Sequence, residues 1–218
     1  MVKIPAVLGN TFKIKFSMLR LLENRMVHSK IKFTTELIVD DDASALQQVT
    51  ILTNIRKWFD IVVTESIAYS IVKEIPSCTI DHLNNNLMFC PDEPWDHLLL
   101  VLLKAKLNAI GEGIVTAGRC YLDSDLNEGF GNWHDGDPLD MLPSAEEWLG
   151  DVRYFDQPWW NRSDGGMIDS WVEPGEDPSA TPDILIDLTD DGSDYSNVIP
   201  AEIISPFKPV IVTNDQIE

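Results

Sequence analysis

The sequence predicts an α+β fold: a ferredoxin-like split βαβ core, with a four-stranded antiparallel sheet and two helices, followed by an irregular acidic, tryptophan-rich C-terminal extension. Three observations carry this. Between residues 30 and 123 the hydrophobic pattern switches between periods of 2 and 3.6 in the order strand, helix, strand, strand, helix, strand. After residue 124 the periodicity stops. The charge divides at the same place. Residues 1–120 hold 13 basic and 13 acidic side chains, whereas residues 121–218 hold 3 basic and 23 acidic ones, which is the whole net charge of −20. The expected organisation is an N-terminal arm or edge strand over 1–29, the core over 30–123, a wrapping segment over 124–180 and an acidic tail over 181–218.

Taken in order, residues 11–22 alternate Phe12, Ile14 and Phe16 with Lys13 and Lys15, the pattern of an exposed or edge strand, with a short helical turn expected at Met18–Arg25. Ile31, Phe33, Thr35, Leu37 and Val39 repeat the strand signal. Asp40-Asp41-Asp42 supplies carboxylates for a helix start. Leu46, Val49, Leu52, Ile55, Phe59 and Val62 then recur every three or four residues, predicting a helix over 43–63. Residues 66–75 are rich in β-branched side chains and end at Pro76, so they read as a strand, a longer first helix being the alternative. Asp81 to Asn86 is a turn and Leu87–Cys90 a short buried strand. Asp92-Glu93-Pro94 opens a helix over Trp95–Ile110 that stops at Gly111 and Gly113. Ile114–Leu122 is the last strand.

Leu98 to Leu103 is apolar on every side of its helix, whereas a helix lying on a sheet needs only a stripe. Something must cover the outer side, and the chain's own extension is the favoured cover over a second chain. Residues 124–180 contain Trp133, Trp148, Trp159, Trp160 and Trp171, and disordered segments normally lack aromatics. Ser144 to Leu149 reads as a short capped helix. Aromatic and arginine side chains are favoured in interfaces. Trp133, Trp148, Phe155, Trp159, Trp160, Trp171, Ile184 and Ile186 are therefore the candidate partner-binding residues, a Pro158-Trp159-Trp160 anchor serving equally to fill the chain's own groove. Asp183–Asp191 resembles a SUMO-interacting motif, a short hydrophobic strand followed by acids that can extend a sheet edge; an acidic tail strand pairing with its own protein or with a neighbouring subunit is the expected reading.

The charge argues against a direct nucleic-acid partner, because each phosphate contact normally needs a Lys or Arg, and against anionic membrane. No apolar run approaches the ~20 residues of a spanning helix. Cys78, Cys90 and Cys120 are an odd number without close pairing, as expected of thiols in a reducing interior. Chemistry is sparse. Asp123, Asp125 and Asn127 suggest a calcium loop, but the glycine falls one position late and His134 stands where a bidentate Glu belongs. His134, Asp135 and Asp137 form the most enzyme-like cluster, a set that with Asp123 and Asp125 would serve a metal-dependent hydrolase. His134 has no partner histidine at ligand spacing, so ordinary Asp/Gly turn chemistry is the preferred reading. No nucleophile elbow and no phosphate-cradling loop is present. No catalytic residue and no cofactor is expected.

Leu87-Met-Phe-Cys-Pro-Asp-Glu-Pro-Trp-Asp96, Lys106-Leu-Asn-Ala-Ile-Gly111, Trp133-His-Asp-Gly-Asp-Pro138 and Phe155-Asp-Gln-Pro-Trp-Trp160 resemble segments of uncharacterised proteins of large tailed bacteriophages, through roughly 30–190. The resemblance implies a phage product in the cytoplasm of the infected cell or in the virion, and no catalytic residues to carry over. The expected function is a non-enzymatic structural or assembly protein that docks on a basic protein surface, of the virion or of itself. An acidic DNA mimic that blocks a host nuclease or polymerase is the alternative, and the metal-dependent hydrolase a third.

Overall fold

A computed structural model describes residues 11–23, 25–40, 42–70, 87–127, 131–149, 155–169 and 186–189. They form a mixed α+β structure with one six-stranded sheet and three α-helices. The strands are β1 (Thr11–Leu22), β2 (Arg25–Val39), β3 (Ile67–Ser70), β4 (Leu87–Cys90), β5 (Val115–Ser124) and β6 (Asn132–His134), and their order across the sheet is β4-β3-β1-β2-β5-β6. The β1–β2, β2–β5 and β5–β6 pairs are antiparallel, while β1–β3 and β3–β4 are parallel. The sheet is therefore not the four-stranded antiparallel sheet of a ferredoxin-like core.

The difference starts at the N-terminus. Residues 11–22 are no edge strand and contain no helical turn; β1 lies between β3 and β2 and pairs with β2 from Thr11↔Glu36 to Leu22↔Arg25. The hairpin turns at Glu23, which takes a positive φ of 48°. Two polar side chains hide this continuity from the sequence. Arg20 and Ser29 occupy inward positions and are fully buried, so the apolar alternation fails where the strands do not.

Helix α1 (Ala45–Lys57) is capped by Ser44 in a reciprocal box with Gln47, not by the aspartates before it. It continues into a wider π turn over Trp58–Val63, where Thr64 N donates to Phe59 O at 3.0 Å. The wider turn shifts the buried stripe. Leu46 and Val49, expected on the inner face, are exposed, while Ile55, Trp58, Phe59, Val62 and Val63 are buried. The Phe59 ring lies 5.6–5.7 Å from those of Phe12, Phe16 and Phe33, joining the helix to β1 and β2. Within 66–75, Ile67–Ser70 is strand, and 71–75 and the turn at 81–86 lie outside the described residues.

Helix α2 (Asp96–Gly111) is the one expected from the sequence, except that its left-handed terminal residue is Glu112 (φ 47°) rather than a glycine. Every residue from Leu99 to Leu107 is buried. Helix α3 (Ala145–Leu149) begins as predicted at Ser144, whose hydroxyl accepts from Glu147 N while Glu147 Oε2 accepts from Ser144 N. Among the described residues, no helix is long and apolar enough to cross a membrane.

Candidate functional site

The outer side of α2 is covered by the chain itself. Trp159 and Trp160 are fully buried, and Met167 and Leu188 join the same core. Trp159 Nε1 donates to Phe89 O at 2.7 Å and Trp58 Nε1 to Gly165 O at 3.1 Å. Phe89 N donates to Met167 O at 2.9 Å, and Gly165 N to Ile186 O at 2.7 Å. A Cβ at Gly165 would lie 2.9–3.0 Å from Leu188 and Ile186, so this crossing needs a residue without one.

A buried polar hub fixes this cover. Lys106 is fully buried on α2, and its Nζ donates to Trp159 O at 2.8 Å and Arg162 O at 2.9 Å. Burial pushes its ammonium down to about 7, against the attraction of Asp164 and Asp169. Arg162 pairs with Asp169 and with Asp164, and its guanidinium lies 4.1 Å from the centre of the Phe155 ring. Asp169 also accepts from Trp148 Nε1 at 2.9 Å and Trp159 N at 3.1 Å. Burial nevertheless raises its carboxyl above the ordinary range, opposed by Arg162 and these hydrogen bonds. A lowered lysine in a cleft is the mark of Schiff-base or general-base chemistry. Here the nitrogen is sealed and spends its hydrogens on two carbonyls, so its role is to fasten the segment.

A second ionic knot sits where β1, β2, β5 and α2 meet. Arg20 donates to Asp96 Oδ1 at 2.5 Å, Pro94 O at 3.1 Å and Ser29 Oγ at 2.5 Å. Asp96 Oδ2 accepts from Ser124 Oγ at 2.7 Å and Asn127 Nδ2 at 2.6 Å. Asp96 stands in the first turn of α2, where the helix dipole favours a carboxylate.

The interface candidates divide accordingly. Trp159 and Trp160 are core residues, and they are unavailable to a partner because α2 and β4 already surround them. Trp148 is half-buried against Trp160, with ring centres 5.3 Å apart, and Phe155 lies under Arg162. Ile186 packs on the same core. Trp133 alone of the described candidates is well exposed, at 61%. Trp171 and Ile184 lie outside the described residues, as does Cys78. The Cys90 and Cys120 thiols are buried, and burial pushes both up, Cys120 to about 11.

The metal candidates do not converge. Among the described residues no three of His, Cys, Asp and Glu are grouped to hold an ion. β6 sets His134 opposite Cys120, an inward position, whereas Asp123 points outward three residues along β5, roughly 10 Å away. Asp125 Oδ1 accepts from Lys30 N at 2.9 Å and Ser29 Oγ at 3.2 Å, closing the turn after β5. Asp137 caps a 3-10 turn, Pro138–Met141, through Leu139 N at 2.9 Å. His134 and Asp135 complete a turn in which Lys104 Nζ donates to Gly136 O at 2.7 Å.

Two surfaces stand out. Leu139 and Met141 are 49% and 48% exposed in a stretch whose other exposed side chains include Asp135, Asp137, Asp140, Glu146 and Glu147. The sequence reading missed this pair, because a 3-10 turn has no period for apolar residues to follow. On the side of the sheet away from α1 and α2, Lys13, Lys15, Lys30 and Lys32 point outward beside Tyr121 and Trp133. Their signal was legible as lysines at every second position of two strands. Searches against family models and against curated proteins find no match.

Proposed function

We propose that this chain is a non-enzymatic interaction protein whose acidic segment, residues 135–147, docks on a basic protein surface. One observation carries this reading: Leu139 and Met141 stand half exposed within a run of carboxylates. Apolar anchors supply affinity at the centre of an interface, and surrounding charge supplies orientation and association rate. The setting implied by the resemblance is a phage virion or its assembly, in the infected cell.

The test is affinity purification of the full chain from its native source, beside a Leu139→Ser/Met141→Ser variant, at low and high salt. A partner rich in surface lysine and arginine, released by salt and absent from the variant's eluate, is the expected result. Equal recovery by both proteins overturns the assignment.

A further inference from the structure

The open face of the sheet has a composition opposite to that of the acidic segment. Lys15 stands directly opposite Lys32 across β1 and β2, with Lys13 and Lys30 on the two diagonals. Like charges placed opposite each other weaken an antiparallel pair. Among the described residues none of these four amines has a carboxylate within 4.0 Å. Lys15, Lys30 and Lys32 line an open groove of about 620 Å³ that also touches Ser17, Thr64, Asp123 and Asp125. Such an arrangement holds charge ready for an anion at a cost to the sheet.

Aromatic rings adjoin the lysines. Lys13, Thr34, Tyr121 and Trp133 form one row straight across β1, β2, β5 and β6, and Lys15, Lys32 and Asp123 form the next. Tyr121 is thus diagonal to Lys32, within about 7–8 Å. Tyr121 and Trp133 are 38% and 61% exposed on this face. Gly131 sits so close to the tyrosine that a Cβ there would lie 2.0 Å from its hydroxyl, which fixes the ring's edge. Cations beside flat, pre-positioned rings on a sheet match a strand that offers phosphates on one side and unpaired bases on the other.

We infer that this face binds single-stranded nucleic acid, with phosphates on Lys13, Lys15, Lys30 and Lys32 and bases stacked on Tyr121 and Trp133. Screening confines exposed charges to about 8 Å at physiological salt, so the net charge of −20 opposes a polyanion mainly at low ionic strength. A duplex hides its base faces and meets the lysines alone. Asp123, in the lysine row directly opposite Lys32, and Glu36, diagonal to Lys13, work against phosphate and set the site's weakness.

The test is fluorescence anisotropy of the full chain with labelled oligo(dT) of about 12 nucleotides, a length matched to one small binding module. Lys15→Gln/Lys32→Gln should flatten the log–log salt slope by about 1.4, at ~0.7 per phosphate contact. Trp133→Ala and Tyr121→Ala should each weaken oligo(dT) about 5- to 100-fold while leaving polyglutamate binding unmoved, and Asp123→Asn should tighten it. These side chains are exposed, so a cooperative melt at or above the parent's melting temperature verifies that the lysine variants fold, and one within a few degrees of it that the aromatic variants do. Absence of oligo(dT) binding at both low and physiological salt overturns the inference. So does equal binding of duplex DNA, or of polyglutamate with no response to the aromatic variants, which would mark a site for an acidic protein.

Discussion

The two faces of the sheet treat charge in opposite ways. Under the helices and the covering segment Arg20, Asp96, Lys104, Lys106, Arg162 and Asp169 are all buried, and each has a partner held by hydrogen bonds. On the open face four lysines crowd together on two strands without an ion pair among the described residues. A buried ion stripped of its partner costs several kcal/mol, whereas an exposed one is solvated. The covered face can therefore use charge only as a fastening, while the open face keeps its charge available for contact.

The sharpest way to break this contrast is Asp169→Ala. It leaves Arg162 buried without its main partner and removes the acceptor of Trp148 Nε1 and Trp159 N. The expected loss is about 3–5 kcal/mol, read by urea denaturation. A loss below ~1 kcal/mol would mean that the hub does not hold the cover in place. Asp169→Leu is the companion measurement, because it tests whether filling the space restores anything while the arginine keeps only Asp164.

Lys106 sharpens the same contrast through pH. Its folded value is about 7 against an ordinary 10.5, so between those values the unfolded chain holds more protons than the folded one. Stability then rises as pH climbs through this window, and the gain is lost as pH falls back toward 7. The neutral amine still has two hydrogens for Trp159 O and Arg162 O. Lys106→Met should flatten the rise between pH 7 and 10 relative to the parent protein, measured by chemical denaturation at fixed ionic strength. Parallel curves for the two proteins would contradict the burial of a titrating amine.

How far the sequence revealed all this depends on whether its patterns were local. Helix α2, Leu87–Cys90 as a strand and the cap at Ser144 were legible, since each rests on periodicity or a short capping pattern. The need for a cover on α2 was legible too, because an all-round apolar helix has few other solutions. The sheet order was not. Inward Arg20 is polar because Asp96, 76 residues away, pairs with it, and Ser29 because it accepts from Arg20 and donates to Asp125, and no local pattern announces those pairings. The first helix was displaced for a similar reason: one wide turn at Trp58–Val63 exchanged Leu46 for Trp58 on the buried face. The charge balance of the first half also concealed the lysine-rich face, because 13 acids elsewhere in the sequence cancel its lysines in sum.

A smaller effect is expected at the first helix. Ser44→Ala removes the acceptor of Gln47 N and should cost about 1 kcal/mol. Because α1 joins β1 and β2 only through its later residues, from Ile51 onward, this loss should come without any change in the oligo(dT) measurements.

The smallest effect has the opposite sign and bears most directly on the open face. Thr in place of Lys32 removes the like charge opposite Lys15 and puts a β-branched residue on the strand. If the lysines are held against mutual repulsion, Lys32→Thr should stabilise the protein by about 0.2–1 kcal/mol. The gain should shrink at 1 M salt, where screening shortens to ~3 Å. Lys13→Thr, diagonal to Lys32 rather than opposite it, should give less. A destabilised Lys32→Thr would show that Asp123 already neutralises Lys32 across β5, and the face would then hold no unsatisfied charge for a ligand to relieve.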